Sequence, residues 1–167
     1  MDIYDPYARF DSSNEIHPTA VIYPNVRLGK NNKIGAYSVI GSDGEIRNSD
    51  KFEGFVTIGD GNVISEHVTI QRPQDKSKFT AVGDNNIIMA HTHIGHDAKV
   101  CSNCEISTGT IIGGYALIKD GAKLKIGVTV RNRITIEKDV IVGMGSVVVK
   151  DISEGLTVVG NPARKIK

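Results

Sequence analysis

The amino-acid sequence predicts an all-β fold, a parallel β-helix wound in three-sided coils of short strands. Three features carry that expectation. An aliphatic residue recurs at every sixth position from Ile16 to Val148, and 21 of the 23 positions in that frame are Ile, Leu or Val. Glycine often follows it, as in Leu28-Gly29, Ile58-Gly59, Ile94-Gly95 and Ile112-Gly113. A small or β-branched residue often sits four positions after it, at Ser38, Val68, Ala98, Thr110, Ala116 and Ala122 among others.

A period of six matches neither the 3.6-residue helix nor the two-residue alternation of an ordinary strand. It suits flat strands joined by tight corners, each strand turning one aliphatic side chain inward. Glycine beside the aliphatic is expected to supply the unusual backbone angles of a corner. The small residue fits where the backbone bends over a narrow core. Three sides make a coil of 18 residues, and stacked coils bury together what none could bury alone.

Along the single domain, residues 1–15 form an N-terminal segment, residues 16–153 the coils, and residues 154–167 a tail in which the period is lost. Phe52 and Lys76 break the frame. They fall in two polar segments, 42–57 (SDGEIRNSDKFEGFVT) and 71–81 (QRPQDKSKFTA), expected to be loop excursions from the coils. Loops on a rigid scaffold are where recognition residues gather.

Twenty basic and 19 acidic residues give a formal net charge of +1, so nothing electrostatic favours nucleic acid or an anionic membrane. No apolar run reaches the length of a membrane span. The acidic start, MDIYDPYARFDSSNE, lacks the apolar core of a secretory signal. A cytoplasmic protein is expected. Cys101 and Cys104 make no disulfide framework. Cys104 occupies the small inward position of its hexad and reads as a buried structural thiol.

The pattern [Ile/Leu/Val]-Gly-x-x-[small]-x, sustained over residues 16–165, resembles the hexapeptide-repeat acyltransferases. That resemblance implies a left-handed parallel β-helix of hexapeptide repeats. Within it, the stretch MAHTHIGHD holds three of the five histidines. His96 is third in the hexad that starts at Ile94, and Gly114 is third in the hexad that starts at Ile112. One coil apart, they are expected to stack at about the 4.8 Å spacing of neighbouring strands. An imidazole beside a bare backbone N–H is what acyl transfer needs: a general base for the acceptor and a donor for the tetrahedral oxyanion.

The segment AHTHIGHDAKV is similar to the sugar acyltransferases of lipid A biosynthesis. The similarity implies that His96 is the base, His93 its partner histidine, Gly114 the oxyanion glycine and Asp97 the acid that orients the base. His91 takes an outward position suited to solvent or a subunit contact. That family has a histidine after the oxyanion glycine, where this chain has Tyr115, and a helical domain after the coils. The ending VIVGMGSVVVKDISEGLTVVGNPARKIK instead resembles coenzyme A-dependent acetyltransferases of nucleotide-linked amino sugars or serine. This resemblance implies Gly143 and Gly145 along the pantetheine arm, Ala163 near adenine, and Arg164 or Lys165 near phosphate.

Two other readings share the prism. His91 and His96 form the His-x4-His spacing of the γ-class carbonic anhydrases, a zinc site completed by a third histidine. That third ligand is expected near position 55, where Phe55 and Val56 stand, and His67, 24 residues before His91, is expected on a different face. A noncatalytic assembly subunit is the other. The favoured expectation is an acyltransferase that moves an acetyl or short acyl group from a thioester to a nucleotide-linked sugar. Acetyl-CoA is the first choice of donor and acyl carrier protein the second. Surface polysaccharide or lipopolysaccharide synthesis, a homotrimer and no metal complete that expectation.

Overall fold

The computed structural model describes residues 10–45, 54–74 and 79–166. Among them the regular elements are strands, mostly of two or three residues, in three sheets of nine, seven and six members. Successive strands pass to successive sheets, so the chain winds round a triangular prism. Ile87–Ile88 lies on the first face, His93–Ile94 on the second and Lys99–Val100 on the third. Pairing is parallel throughout, except that the closing strand Arg164–Lys165 runs antiparallel to Thr157–Val159.

A two-residue strand cannot stand alone. Each is held by backbone hydrogen bonds to the coils on either side and by its inward aliphatic. Ile40, Ile70, Ile88, Ile94, Ile106 and Ile112 are fully buried, each contributing about 1.5–3 kcal/mol. The small positions are buried too, Ser38, Val68, Ala98 and Ala122 among them.

Glycine after the aliphatic serves a different purpose from the one expected. Of the positive-φ glycines only Gly41 is in that position; the left-handed residue of a corner is the fourth of the hexad, as at His67, His91, Asp97, Tyr115 and Arg133. The second-position glycines instead let neighbouring coils touch. A Cβ on Gly35 would lie 2.6 Å from the Ser65 carbonyl carbon, and one on Gly95 would lie 2.8 Å from the Gly114 nitrogen.

Coil register is 18 residues where the prism is uninterrupted, as in His93 with Ile111. Across the first excursion Val39 pairs with Thr69, 30 residues on, and across the second Thr69 pairs with His93, 24 residues on. The extra lengths, 12 and 6, are whole multiples of the hexad, so the frame emerges from each loop unshifted. Ile46, Phe52 and Lys76 lie outside the described residues. The excursions are shorter than expected: Val39–Ser42, Val56–Ile58, Thr69–Gln71 and Thr80–Val82 are strands. Coiling also continues past residue 153, because Thr157–Val159 pairs with Ile141–Val142.

A buried asparagine ladder runs up one interior corner. Asn32 Nδ2 donates to Asn14 Oδ1 at 3.1 Å, Asn62 Nδ2 to Asn32 Oδ1 at 3.0 Å, and Asn86 Nδ2 to Asn62 Oδ1 at 3.0 Å. The Cys104 amide closes it on Asn86 Oδ1 at 2.8 Å. The Asn14, Asn32 and Asn62 amides also cap backbone carbonyls at the corner, as Asn62 Nδ2 does for Gly83 at 2.8 Å. Burial pushes the Cys104 thiol up to about 12.

Replacing Asn62 by Leu strands several buried partners at about 1–3 kcal/mol each, so urea denaturation should show a loss of at least about 3 kcal/mol. Iodoacetamide at pH 8 should label Cys101, which is partly exposed, and spare Cys104 until the chain is unfolded. Mass spectrometry of the native protein checks this, and equal labelling would contradict the buried thiol.

Candidate active site

Both excursions leave the prism at one edge, the corner that follows the second face. The next three turns of that edge are Gly95-His96-Asp97, Gly113-Gly114-Tyr115 and Arg131-Asn132-Arg133, stacked by the 18-residue register. Glu45 of the first excursion and Gln71 at the end of its strand join His93, His96, Gly114, Tyr115, Asn132 and Arg133 around a cavity of about 640 Å3. Ile111, exposed on the second face beside His93, supplies an apolar wall.

His96 is held by two hydrogen bonds. Its Nδ1 lies 2.9 Å from Asp97 Oδ2, and its backbone N–H donates to Gln71 Oε1 at 3.2 Å. The Asp97 carboxylate also accepts the Gln74 amide at 3.0 Å, and the Asp97 amide donates to Thr80 Oγ1 at 2.8 Å. A carboxylate can only accept, so the proton sits on Nδ1 and the Nε2 lone pair is left for chemistry. The carboxylate has no exposed side-chain surface, so it faces the imidazole without solvent screening.

Gly114 lies against the Nε2–Cε1 edge of this ring. A Cβ there would sit 2.6 Å from His96 Nε2 and 2.7 Å from Cε1. The Gly114 N–H has no hydrogen-bond partner among the described residues, as an oxyanion donor requires. Tyr115 meets the imidazole edge-on with centroids 5.1 Å apart. His93, on the strand itself, has Nδ1 2.8 Å from Thr69 Oγ1. Burial holds His93 below the usual imidazole value, Glu45 pulls the other way and His96 reinforces the burial. The ring is neutral near pH 7.

The other expected residues divide. Ala163, Arg164 and Lys165 line a second depression of about 370 Å3 with Lys150 and Leu156, whereas Gly143 and Gly145 do not line it. Gly143 instead packs against Val159, and Gly145 is a left-handed corner of the edge that follows the first face. His91 is exposed on that same edge.

His67 is where it was not expected. It stacks on His91 with parallel rings, 4.9 Å between centroids, and on Tyr37 at 5.3 Å. The second excursion's six extra residues bring positions 24 apart into register. His91 and His96 project from different edges of the prism, so within one chain they do not converge on a metal.

Gln71, Glu45, Asn132 and Arg133 escaped the sequence reading. Asn132 and Arg133 follow from adding one more coil to Gly114 and Tyr115. Gln71 and Glu45 require the loop lengths.

A β-prism with a carboxylate-held imidazole facing a glycine corner defines a transferase of the hexapeptide-repeat class. The chain matches the family described as bacterial transferase hexapeptide (six repeats) at residues 12–42 and 79–114. It is 35% identical to the acyl-(acyl-carrier-protein)–UDP-N-acetylglucosamine O-acyltransferase of Stutzerimonas stutzeri, with 96% of this chain and 70% of that protein covered. Among solved structures, LpxA of Bacteroides fragilis, a UDP-N-acetylglucosamine acyltransferase, superposes with a TM-score of 0.89 at 29% identity, covering 92% of this chain and 60% of that one. Perosamine N-acetyltransferase of Caulobacter crescentus, solved with CoA and GDP-perosamine, gives a TM-score of 0.65 at 25% identity, covering 92% and 56%. The chain thus spans 56% to 70% of the length of these relatives. It belongs to the hexapeptide-repeat acyltransferases, and its prism is their left-handed parallel β-helix. No helix among the described residues is long and apolar enough to cross a membrane.

Replacing Gly114 by Ala should push the His96 ring aside without unfolding the coil. Turnover should fall by at least about 100-fold while the circular dichroism spectrum is unchanged. Retained activity would show that the imidazole edge is not the reacting one.

Proposed function

We propose that the protein transfers an acyl group from a thioester to a hydroxyl or amine of a nucleotide-linked sugar, with His96 as general base. The observation that carries this reading is the contact of His96 Nε2 with the Gly114 corner, with Asp97 2.9 Å behind Nδ1. His96 Nε2 takes the proton as the acceptor oxygen or nitrogen attacks the thioester carbonyl. The Gly114 N–H stabilises the tetrahedral oxyanion. On collapse the C–S bond breaks, and the imidazolium protonates the leaving thiolate. Neutral His93, set by Thr69, donates a hydrogen bond to the sugar and orients the attacking group.

An acyl carrier protein thioester is the proposed donor, as the names of the UDP-N-acetylglucosamine acyltransferase relatives support. The acetyl-CoA expectation stands as a second reading, favoured by the depression around Ala163, Arg164 and Lys165 and by the CoA-bound Caulobacter structure. Under either donor the proposed setting is cytoplasmic lipopolysaccharide or surface polysaccharide synthesis, which the likeness to the acyltransferases of lipid A synthesis supports. The cavity is open on one side, which suits completion by a neighbouring prism in a homotrimer.

Replacing His96 by Ala should cut turnover by at least about 100-fold and leave the oligomer intact by light scattering. Asp97→Asn should lower turnover through the wrong tautomer while preserving acceptor KM. A screen of acetyl-CoA against acyl carrier protein thioesters, over a panel of UDP- and GDP-linked sugars, tests the donor. Unchanged turnover in His96→Ala sinks the mechanism.

A further inference from the structure

Arg133 is the one Arg or Lys among the described residues lining the cavity that holds His96. It stands in a single corner column with Asp97 and Tyr115, all three in the left-handed region with φ of 59°, 62° and 65°. That shared conformation stacks their side chains along the prism edge. Tyr115 touches the His96 ring edge-on, and the Arg133 guanidinium carbon lies 4.1 Å from the centre of the Tyr115 ring. Stacking occupies the flat face of the guanidinium and leaves its rim of N–H donors. The guanidinium makes no ion pair or hydrogen bond with a described residue. A charged, pre-oriented fork with no donor spent on a described residue, at the mouth of the cavity that holds His96, suits a phosphate or similar oxyanion.

Resting on the acceptor class proposed above, we propose that Arg133 binds the phosphate attached to the acceptor sugar, and so selects nucleotide-linked sugars over free ones. Either substrate could bring a phosphate, and reach separates them. From imidazole to guanidinium there are two stacking steps, of 5.1 and 4.1 Å. A ring hydroxyl or amine held at His96 is about 6 Å from phosphorus at the anomeric carbon, taking ordinary bond lengths. A donor phosphate is separated from its thioester by the pantetheine arm, about 15 Å when extended on the same bond lengths. The sugar phosphate falls on Arg133, and the donor phosphate overshoots it. Asn132, beside Arg133 on the cavity wall, offers a further amide to the same group.

The test is calorimetric binding of UDP-linked and GDP-linked sugars, and separately of CoA, to the whole chain and to two variants. Arg133→Met keeps the apolar stem on Tyr115 and removes the donors, and Arg133→Lys keeps charge without the fork. Because Arg133 is exposed, both should melt with the parent. Arg133→Met should weaken nucleotide-sugar binding about 10- to 100-fold, with Arg133→Lys intermediate and CoA affinity changed less than about twofold. Weakened CoA binding with nucleotide-sugar binding intact would assign the phosphate to the donor and overturn the proposal. So would equal nucleotide-sugar affinity in parent and Arg133→Met, which leaves the acyltransferase reading standing. If the parent binds no nucleotide sugar, the acceptor class and this assignment fall together.

Discussion

The parallel ladder register is the constraint on which the rest of the molecule depends. Each strand is too short to persist alone, so its position is set by pairing with residues one coil away. That pairing brings residue i against residue i+18 wherever the prism is uninterrupted. It joins His96 to Gly114 and Tyr115 to Arg133, residues with no local reason to meet. The inward aliphatics supply most of the driving force. The asparagine ladder supplies direction, because its amides bond well only when the coils are in step.

Corners convert that register into chemistry. The fourth residue of a hexad takes a left-handed conformation, and its side chain stacks on the equivalent residues above and below. On one edge this produces the Tyr37–His67–His91 stack, and on another the Asp97–Tyr115–Arg133 column. Only the second has the two excursions beside it. Gln74 of the second excursion, with Gln71 and Thr80 at the strand ends that flank it, holds His96 and Asp97. A rigid wall therefore carries His96 and Gly114, and the hydrogen bonds with Gln71, Gln74 and Thr80 fasten the imidazole and its carboxylate in one orientation. Burial also lowers the tendency of the His93 imidazole to take a proton, and Thr69 Oγ1 holds its Nδ1 at 2.8 Å.

Most of the coil structure was legible because the six-residue period is a direct image of side-chain direction. It remained legible through the excursions because their extra lengths are multiples of six. That same regularity hid where the loops were. His67 was assigned to the wrong face because the frame cannot distinguish a loop hexad from a coil hexad. The asparagines at 32, 62 and 86 give no such signal, because polar residues in the small inward slot do not look like core although all three are buried. Their burial becomes intelligible only when three of them form a ladder. The glycine positions are plain in the pattern, but most of them serve close approach between coils and not corner dihedrals.

The sequence by itself determined the repeating coil, the inward aliphatics, the buried Cys104 and the pairing of His96 with Gly114. All of these follow from a fixed period between residues on uninterrupted turns. Only the tertiary structure decided which residues the excursions bring to the site and that His67 stacks on His91. It also decided that the guanidinium of Arg133 lies over Tyr115. These depend on loop length, corner conformation and side-chain stacking between coils, and none of the three is written in the hexad pattern.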